Sequence, residues 1–225
     1  MKGKLYVVAT PIGNMKDITQ RAVDVLREVD IVICEDTRVT GKLLSTLGIK
    51  KPLKSLHEHT ELEKLNRLVE ELSDGISAAY TSDAGTPGLS DPGGKLVAVA
   101  AEKDIVTIPI PGPSALAAAV SVCGFPMSQF SFLGFPPTKK HRSFFFDKIS
   151  GDQSPCVFYE STHRILKTLE ELRKRLSANR KIFIGRELTK MHEQIYRGMI
   201  SEVIDQLTKS SQKGEFVIVV GPENH

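Results

Sequence analysis

Three polar runs stand where apolar segments end. Cys34-Glu35-Asp36-Thr37-Arg38 follows Ile31-Val32-Ile33, Tyr159-Glu160-Ser161-Thr162-His163-Arg164 follows Pro155-Cys156-Val157-Phe158, and Arg186-Glu187-Leu188-Thr189-Lys190, with Glu193 and Arg197 beyond it, follows Lys181 to Ile184. Polar side chains at the ends of strands can face a cleft and serve a site there. Each run also has a plain structural account: Asp36 or Ser161 caps a helix, and the third run is a salt-bridged surface strand of little energetic weight. His57-Glu58-His59 alternates two imidazoles with no third ligand at zinc spacing, so no metal is expected. Lys139-Lys140-His141-Arg142 precedes Phe144-Phe145-Phe146. That segment can track a phosphate backbone and stack unpaired bases, or it can be a helix with a basic outer face and phenylalanines packed inward.

Three loops rich in small residues accompany these runs. Thr10-Pro11-Ile12-Gly13-Asn14, Thr81 to Gly93 and Pro109 to Ser114 each follow a β-branched run, the position where open α/β sheets bind ligands; an ordinary βα turn is the other account of the first, and an elaborate turn that of the second. Glycines there let a ligand approach the backbone, and helix N-termini after such loops present free N–H groups. Thr81 to Gly93 is neither a Walker loop nor a dinucleotide fingerprint, since it lacks Gly-Lys-Ser/Thr and Gly-x-Gly-x-x-Gly. Of the 17 glycines and 12 prolines, 15 lie between Thr81 and Pro137.

The elements that must position these loops alternate. Leu5 to Ala9, Ile31 to Cys34, Ile76 to Tyr80 and Ile105 to Ile108 read as strands. Ala22 to Val29, capped by Thr19 or Asp17, and Thr60 to Leu72, with Thr60 and Glu63 at capping-box spacing, read as helices. Ser90 or Asp91 with Pro92, and Gly112 with Pro113, read as further helix starts. Past Phe130, Pro155 to Tyr159, Lys181 to Ile184 and Phe216 to Val220 read as strands, and Ile165, Leu166, Leu169, Leu172 and Leu176 as one helical stripe. The pattern predicts an α/β fold in two domains, 1–112 and 113–225. With 225 residues, 40% hydrophobic, 25% charged and a formal charge of +3, disorder, collagen and membrane spans are excluded, while a polyanionic partner is permitted but not demanded. Cys34, Cys123 and Cys156 sit in apolar settings without Cys-x-x-Cys spacing, and the N-terminus leads straight into a strand; both suit a cytoplasmic protein.

Taken in order, the segments 5–14, 34–38, 82–93, 111–115, 158–164 and 186–190 resemble the tetrapyrrole-methylase-like, class III methyltransferases that use S-adenosylmethionine. Within that family, Ser-Asp-Ala-Gly-Thr-Pro (82–87) and Tyr-Glu-Ser-Thr-His-Arg (159–164) are similar to the branch that 2′-O-methylates a cytidine in the decoding region of 16S ribosomal RNA. The resemblance implies two α/β domains with the cofactor in the cleft between them, a homodimer, and the small ribosomal subunit as partner. It puts cofactor contacts on Pro11, on Ser82, Asp83, Ala84 and Gly85, and on Pro113, Ser114 and Ala115. A ribose hydroxyl needs a proton acceptor as its bond forms, for which Asp36, Glu160 and Lys190 are the candidates, Lys190 only if desolvation keeps it neutral. Arg38, His163 and Arg164 would orient the ribose or its phosphates, and Lys139, Lys140 and Arg142 would guide the RNA. Family members commonly continue into a small helical extension, whereas this chain stops at Gly221-Pro222-Glu223-Asn224-His225, so either the two core domains hold the RNA or the chain is a shortened one. A tetrapyrrole or other small-molecule methylase, and a non-catalytic RNA-binding module on the same fold, are the rival readings.

Overall fold

A computed structural model describes residues 1–57 and 62–223, so Glu58, His59 and the Thr60 cap lie outside the described residues. Packing divides the chain into two units, Met1–Ser114 and Ala115–His225. The sequence pattern placed the division two residues earlier, after Gly112.

The first unit is built on five parallel strands: β1 (Lys4–Val8), β2 (Ile31–Cys34), β3 (Leu53–Ser55), β4 (Ala78–Thr81) and β5 (Val106–Ile110), in the order β3-β2-β4-β1-β5. The inner strands read as unbroken apolar runs because both faces of the sheet are covered. Helices α1 (Gln20–Glu28) and α2 (Thr37–Thr46) cover one face, packing Ala22, Leu26 and Leu44 on Val8, Val32, Ala79 and Ile110. The other face carries α3 (Leu62–Ser73) and α4 (Gly93–Glu102), with Leu65, Leu72 and Leu96 against Leu5, Ile33, Ala78 and Tyr80. Adjacent strands β1 and β4 therefore send their following helices, α1 and α4, to opposite faces. Such a divergence opens a crevice at the carboxyl ends of the strands.

Local chemistry sets the element ends. Thr19 caps α1 by accepting the Ala22 N–H at 3.2 Å. Two helix starts differ from expectation. Pro92 is the cap of α4 rather than its first residue, and the Asp91 carboxylate accepts from Gly93 N at 2.8 Å and Gly88 N at 2.7 Å. The next helix, α5 (Ala115–Val122), begins three residues after Gly112, and the Pro113 carbonyl accepts the Thr86 hydroxyl at 3.0 Å. Strand β4 starts at Ala78 rather than Ile76, because the Ile76 N–H returns to the Glu71 carbonyl at 3.1 Å and Ser77 N bonds the Asp30 carboxylate at 2.8 Å.

The second unit holds β6 (Ser131–Phe132), α6 (Arg142–Gly151), β7 (Cys156–Ser161), α7 (Ile165–Arg173), β8 (Lys181–Arg186), β9 (Gln194–Met199), α8 (Ile200–Thr208) and β10 (Glu215–Val220). Its sheet runs β6-β7-β10-β8-β9, antiparallel except for β6 beside β7. Phe146, Phe158, Ile165, Leu169, Ile184, Val203 and Ile218 form its core. The expected surface strand at 186–190 does not continue beyond Arg186, since Glu187 and Thr189 take positive φ of 52° and 67°. The stripe residue Leu176 packs on the core from beyond the end of α7. Among the described residues no helix is long and apolar enough to cross a membrane.

One guanidinium is wholly enclosed. Arg180 donates to the carbonyls of Gly221 at 2.9 Å, Ile149 at 3.0 Å and Asp152 at 2.8 Å, tying the end of α6 to the segment after β10. Arg180→Met would keep the aliphatic bulk and strand those carbonyls. Equilibrium urea unfolding of the full chain should then show a loss on the order of 3–5 kcal/mol; a loss under about 1 kcal/mol would mean water replaces the guanidinium freely.

Candidate active site

In the first unit, the loops after β1, β4 and β5 are fastened to one another. Thr10 and Gly85 exchange both backbone hydrogen bonds at 3.0 Å, Ala9 N donates to Ile110 O at 3.1 Å, and Thr86 Oγ1 reaches Pro113 O at 3.0 Å. Gly85 has φ of +82°, and a Cβ there would meet the Ile12 side chain at 3.2 Å. At Gly112 a Cβ would stand 3.1 Å from that of Ala9. Glycine at both positions lets these loops approach without strain. Thr10 Oγ1 is buried and has no hydrogen-bond partner among the described residues. A buried hydroxyl left in this state marks a place for a partner the protein itself does not supply. Pro11, Ser82, Asp83, Ala84, Gly85, Pro113 and Ser114 thus fall on loops that the structure brings together, whereas Ala115 opens α5 in the second unit.

The carboxyl ends of β2 and β4 carry an acidic group. Asp36 caps α2, accepting Arg38 N at 2.8 Å and pairing with the exposed Arg38 guanidinium at 2.6 Å. The side-chain hydrogen bond from Arg38 is the main cause that lowers its pKa to about 2. The helix-cap reading of Asp36 therefore describes its geometry, and little basicity is left to it. Asp83 accepts the Asp36 N–H at 3.0 Å, and the Glu35 carboxylate accepts the Asp83 N–H. Burial first, then the carboxylates of Asp83 and Asp91, raise the Glu35 pKa above its ordinary value. Burial and like charge make such a carboxylate a better proton acceptor than a solvated one. Between a strand end and a cap Glu35 is inconspicuous in the sequence; the signal for it is its place directly after a buried run.

The second unit treats its two candidates differently. Glu160 is buried and fully engaged: it accepts the Thr168 hydroxyl at 2.6 Å, the Ser161 N–H at 2.7 Å and Arg164 Nε at 2.8 Å. Arg164 also reaches Pro136 O at 3.0 Å. Lys190 sits between Glu187 at 2.8 Å and Glu215 at 2.9 Å. Burial alone would lower its pKa, but hydrogen bonds to those two carboxylates outweigh burial and raise it. The condition for Lys190 as a base, a neutral amine, is not met. Arg142 is corrected in a similar way: its guanidinium turns inward to Pro137 O at 3.0 Å and Thr168 Oγ1 at 2.8 Å and lies over the Phe146 ring at 5.0 Å. Lys139, Lys140, His141 and His163 remain exposed. Among the described residues there is no group of three or more metal-ligating side chains.

Residues 4–204 match the family described as Tetrapyrrole (Corrin/Porphyrin) Methylases. The chain belongs to this family. Among its relatives, a protein named ribosomal RNA small subunit methyltransferase I from Synechocystis sp. is 44% identical over 97% of this chain and 78% of its own length. One of the same name from Thermotoga maritima is 43% identical over 97% of this chain and 98% of its own. Two solved structures share the fold: the uroporphyrin-III-C-methyltransferase from Thermus thermophilus, with a TM-score of 0.66 at 19% identity, and the methyltransferase CobJ, with 0.70 at 18%. Each is covered over 94% of its length and covers 98% of this chain.

The position of Glu35 in this methylase has a measurable cost. A carboxyl whose pKa is raised on folding destabilises the protein once ionised: the cost is absent below its unfolded value and grows as pH rises through the folded one. Glu35→Gln should therefore melt at a higher temperature than wild type at neutral pH, and the two melting curves should converge below about pH 4. Equal midpoints at every pH would show that Glu35 is solvated in the folded chain.

Proposed function

We propose that the chain transfers a methyl group from S-adenosylmethionine to the 2′-oxygen of a cytidine in the decoding region of 16S ribosomal RNA, within the small ribosomal subunit. The observation that carries the reading is the fastened trio of loops around Gly85, with small residues that admit a ligand and a buried Thr10 hydroxyl awaiting one. The names of the curated relatives support the choice of RNA over a small molecule. The residue set fits the cofactor: Pro11, Ser82, Asp83, Ala84 and Gly85 with Pro113 and Ser114 would hold it, Ala115 adjoining them in sequence. The cofactor, when bound, supplies a methyl group activated on a sulfonium sulfur.

The chain's own task is alignment and proton removal. Catalysis of an in-line displacement comes largely from fixing the acceptor oxygen, and effective molarities of ~10⁵ M or more follow from such orientation. A ribose hydroxyl that receives the methyl group would have to give up its proton to the chain. Glu35 is the group best suited to accept it, since its basicity is raised while Asp36 is committed to Arg38 and Lys190 is held as a cation. Arg38, exposed and steered by Asp36, would meet a phosphate, and His163, Lys139 and Lys140 are the exposed second-unit groups that would meet others. Glu160 and Arg164 serve as internal supports. The active species would be a homodimer, as the family resemblance implies, and the buried, free cysteines suit the cytoplasm.

Labelled-methyl transfer should be offered small subunits, free ribosomal RNA and a tetrapyrrole separately. Transfer to the subunits is expected, with Glu35→Gln lowering turnover ~10²- to 10⁴-fold while cofactor affinity stays within about twofold of wild type. Transfer only to the tetrapyrrole contradicts the substrate, and full turnover in Glu35→Gln contradicts the base.

A further inference from the structure

From the end of β6 into the first turn of α6 the second unit carries a surface segment that sets aromatic rings beside cations. Phe135 is 49% exposed and Phe144 69% exposed, and between them Lys139, Lys140 and His141 are all exposed. No carboxylate occurs from Ser131 through Phe146. Backbone and side-chain contacts tie this segment to the sheet and core of the second unit. Tyr159 N donates to Gly134 O at 2.8 Å, and the Phe135 ring rests on that of Tyr159 at 5.4 Å. The Pro136 carbonyl accepts from Arg164 and the Pro137 carbonyl from Arg142, each at 3.0 Å. Both guanidiniums are anchored in turn by the buried pair of Glu160 and Thr168, Arg164 on Glu160 and Arg142 on Thr168. The turn closes with Arg142 N on Lys139 O at 3.3 Å and His141 in the left-handed region at φ of +64°.

We infer that this segment is a preformed stacking platform for single-stranded RNA, in which Phe135 and Phe144 each receive an unpaired base and Lys139 and Lys140 neutralise the phosphates between them. The inference rests on the RNA reading above and names further contacts for that substrate. Exposed aromatic rings cost solvation unless something covers them, and the cations beside them select a polyanion with flat faces. Rigidity adds to affinity, because a platform ordered in advance has no loop to freeze on binding. Glu160 thereby gains a role that its saturated carboxylate can perform: it is a positioning residue for the platform rather than a base.

Stacking and phosphate contacts leave different signatures. With a short single-stranded RNA carrying 2-aminopurine, wild type should quench the fluorescence of the probe. Phe135→Ala and Phe144→Ala should each weaken binding roughly 5- to 100-fold and relieve quenching without changing the salt dependence. Phe135→Trp and Phe144→Trp should restore both affinity and quenching. Lys139→Ala with Lys140→Ala should instead lower the slope of log affinity against log salt by about 1.4, at ~0.7 per phosphate on a single strand. Both rings are exposed, so their removal should leave folding intact, as cofactor affinity would verify. Subunit methylation by wild type is measured in parallel. If wild type methylates subunits and the alanine variants bind the probe within about twofold of it, the platform is refuted while the RNA reading stands; if wild type methylates no RNA, both fail. Loss of a dimer in the alanine variants, with unchanged RNA affinity, would assign the rings to a second copy of the chain and also refute the platform.

Discussion

The first unit depends on the paired backbone hydrogen bonds between Thr10 and Gly85. They join the carboxyl ends of β1 and β4, neighbouring strands whose following helices leave toward opposite faces of the sheet. Without a tie, the two loops would be free to diverge with their helices. With it, and with Thr86 reaching Pro113, three chain segments distant in sequence present one surface of backbone and small side chains. Glycine at 85 suits this, because a φ of +82° strains any other residue and a Cβ would press on Ile12 at 3.2 Å.

Polar groups that look alike in the sequence have been given different tasks by burial and pairing. Glu160 is enclosed and satisfied on every side, so it works as a structural anchor. Asp36 spends its charge on a helix N-terminus and on Arg38, and its pKa falls to about 2. Glu35, partly buried opposite Asp83 and Asp91, becomes more basic. Lys190 is kept charged by two carboxylates despite burial. Asp36 is set by a residue two positions away, but Glu35, Glu160 and Lys190 are set in part by tertiary neighbours, Asp83, Thr168 and Glu215, which residue type alone does not reveal.

Much of the architecture was legible because both units alternate short β-branched runs with amphipathic helices. Ile31 to Cys34 and Phe216 to Val220 could hardly be anything but inner strands, and the Thr19 cap followed from local spacing. Helix starts after proline were less legible. Pro92 and Pro113 are compatible with the first helical turn, yet the Asp91 carboxylate and the Thr86 hydroxyl, respectively, engage the backbone at those points. Positive φ at Glu187 and Thr189 ends a strand that residue type would have continued. The inward turn of Arg142 was invisible for the same reason: its partners, Pro137 and Thr168, are set by the packing of α6 against α7.

The central claim is that the fastened loops of the first unit receive S-adenosylmethionine. Backbone amide resonances recorded during titration with the cofactor test it most directly. The account predicts that the amides of Thr10, Ala84, Gly85 and Ser114 shift together with one binding curve, while the amide of Arg180 stays in place. Saturable binding with those four amides unmoved, or no binding at millimolar cofactor, would contradict it.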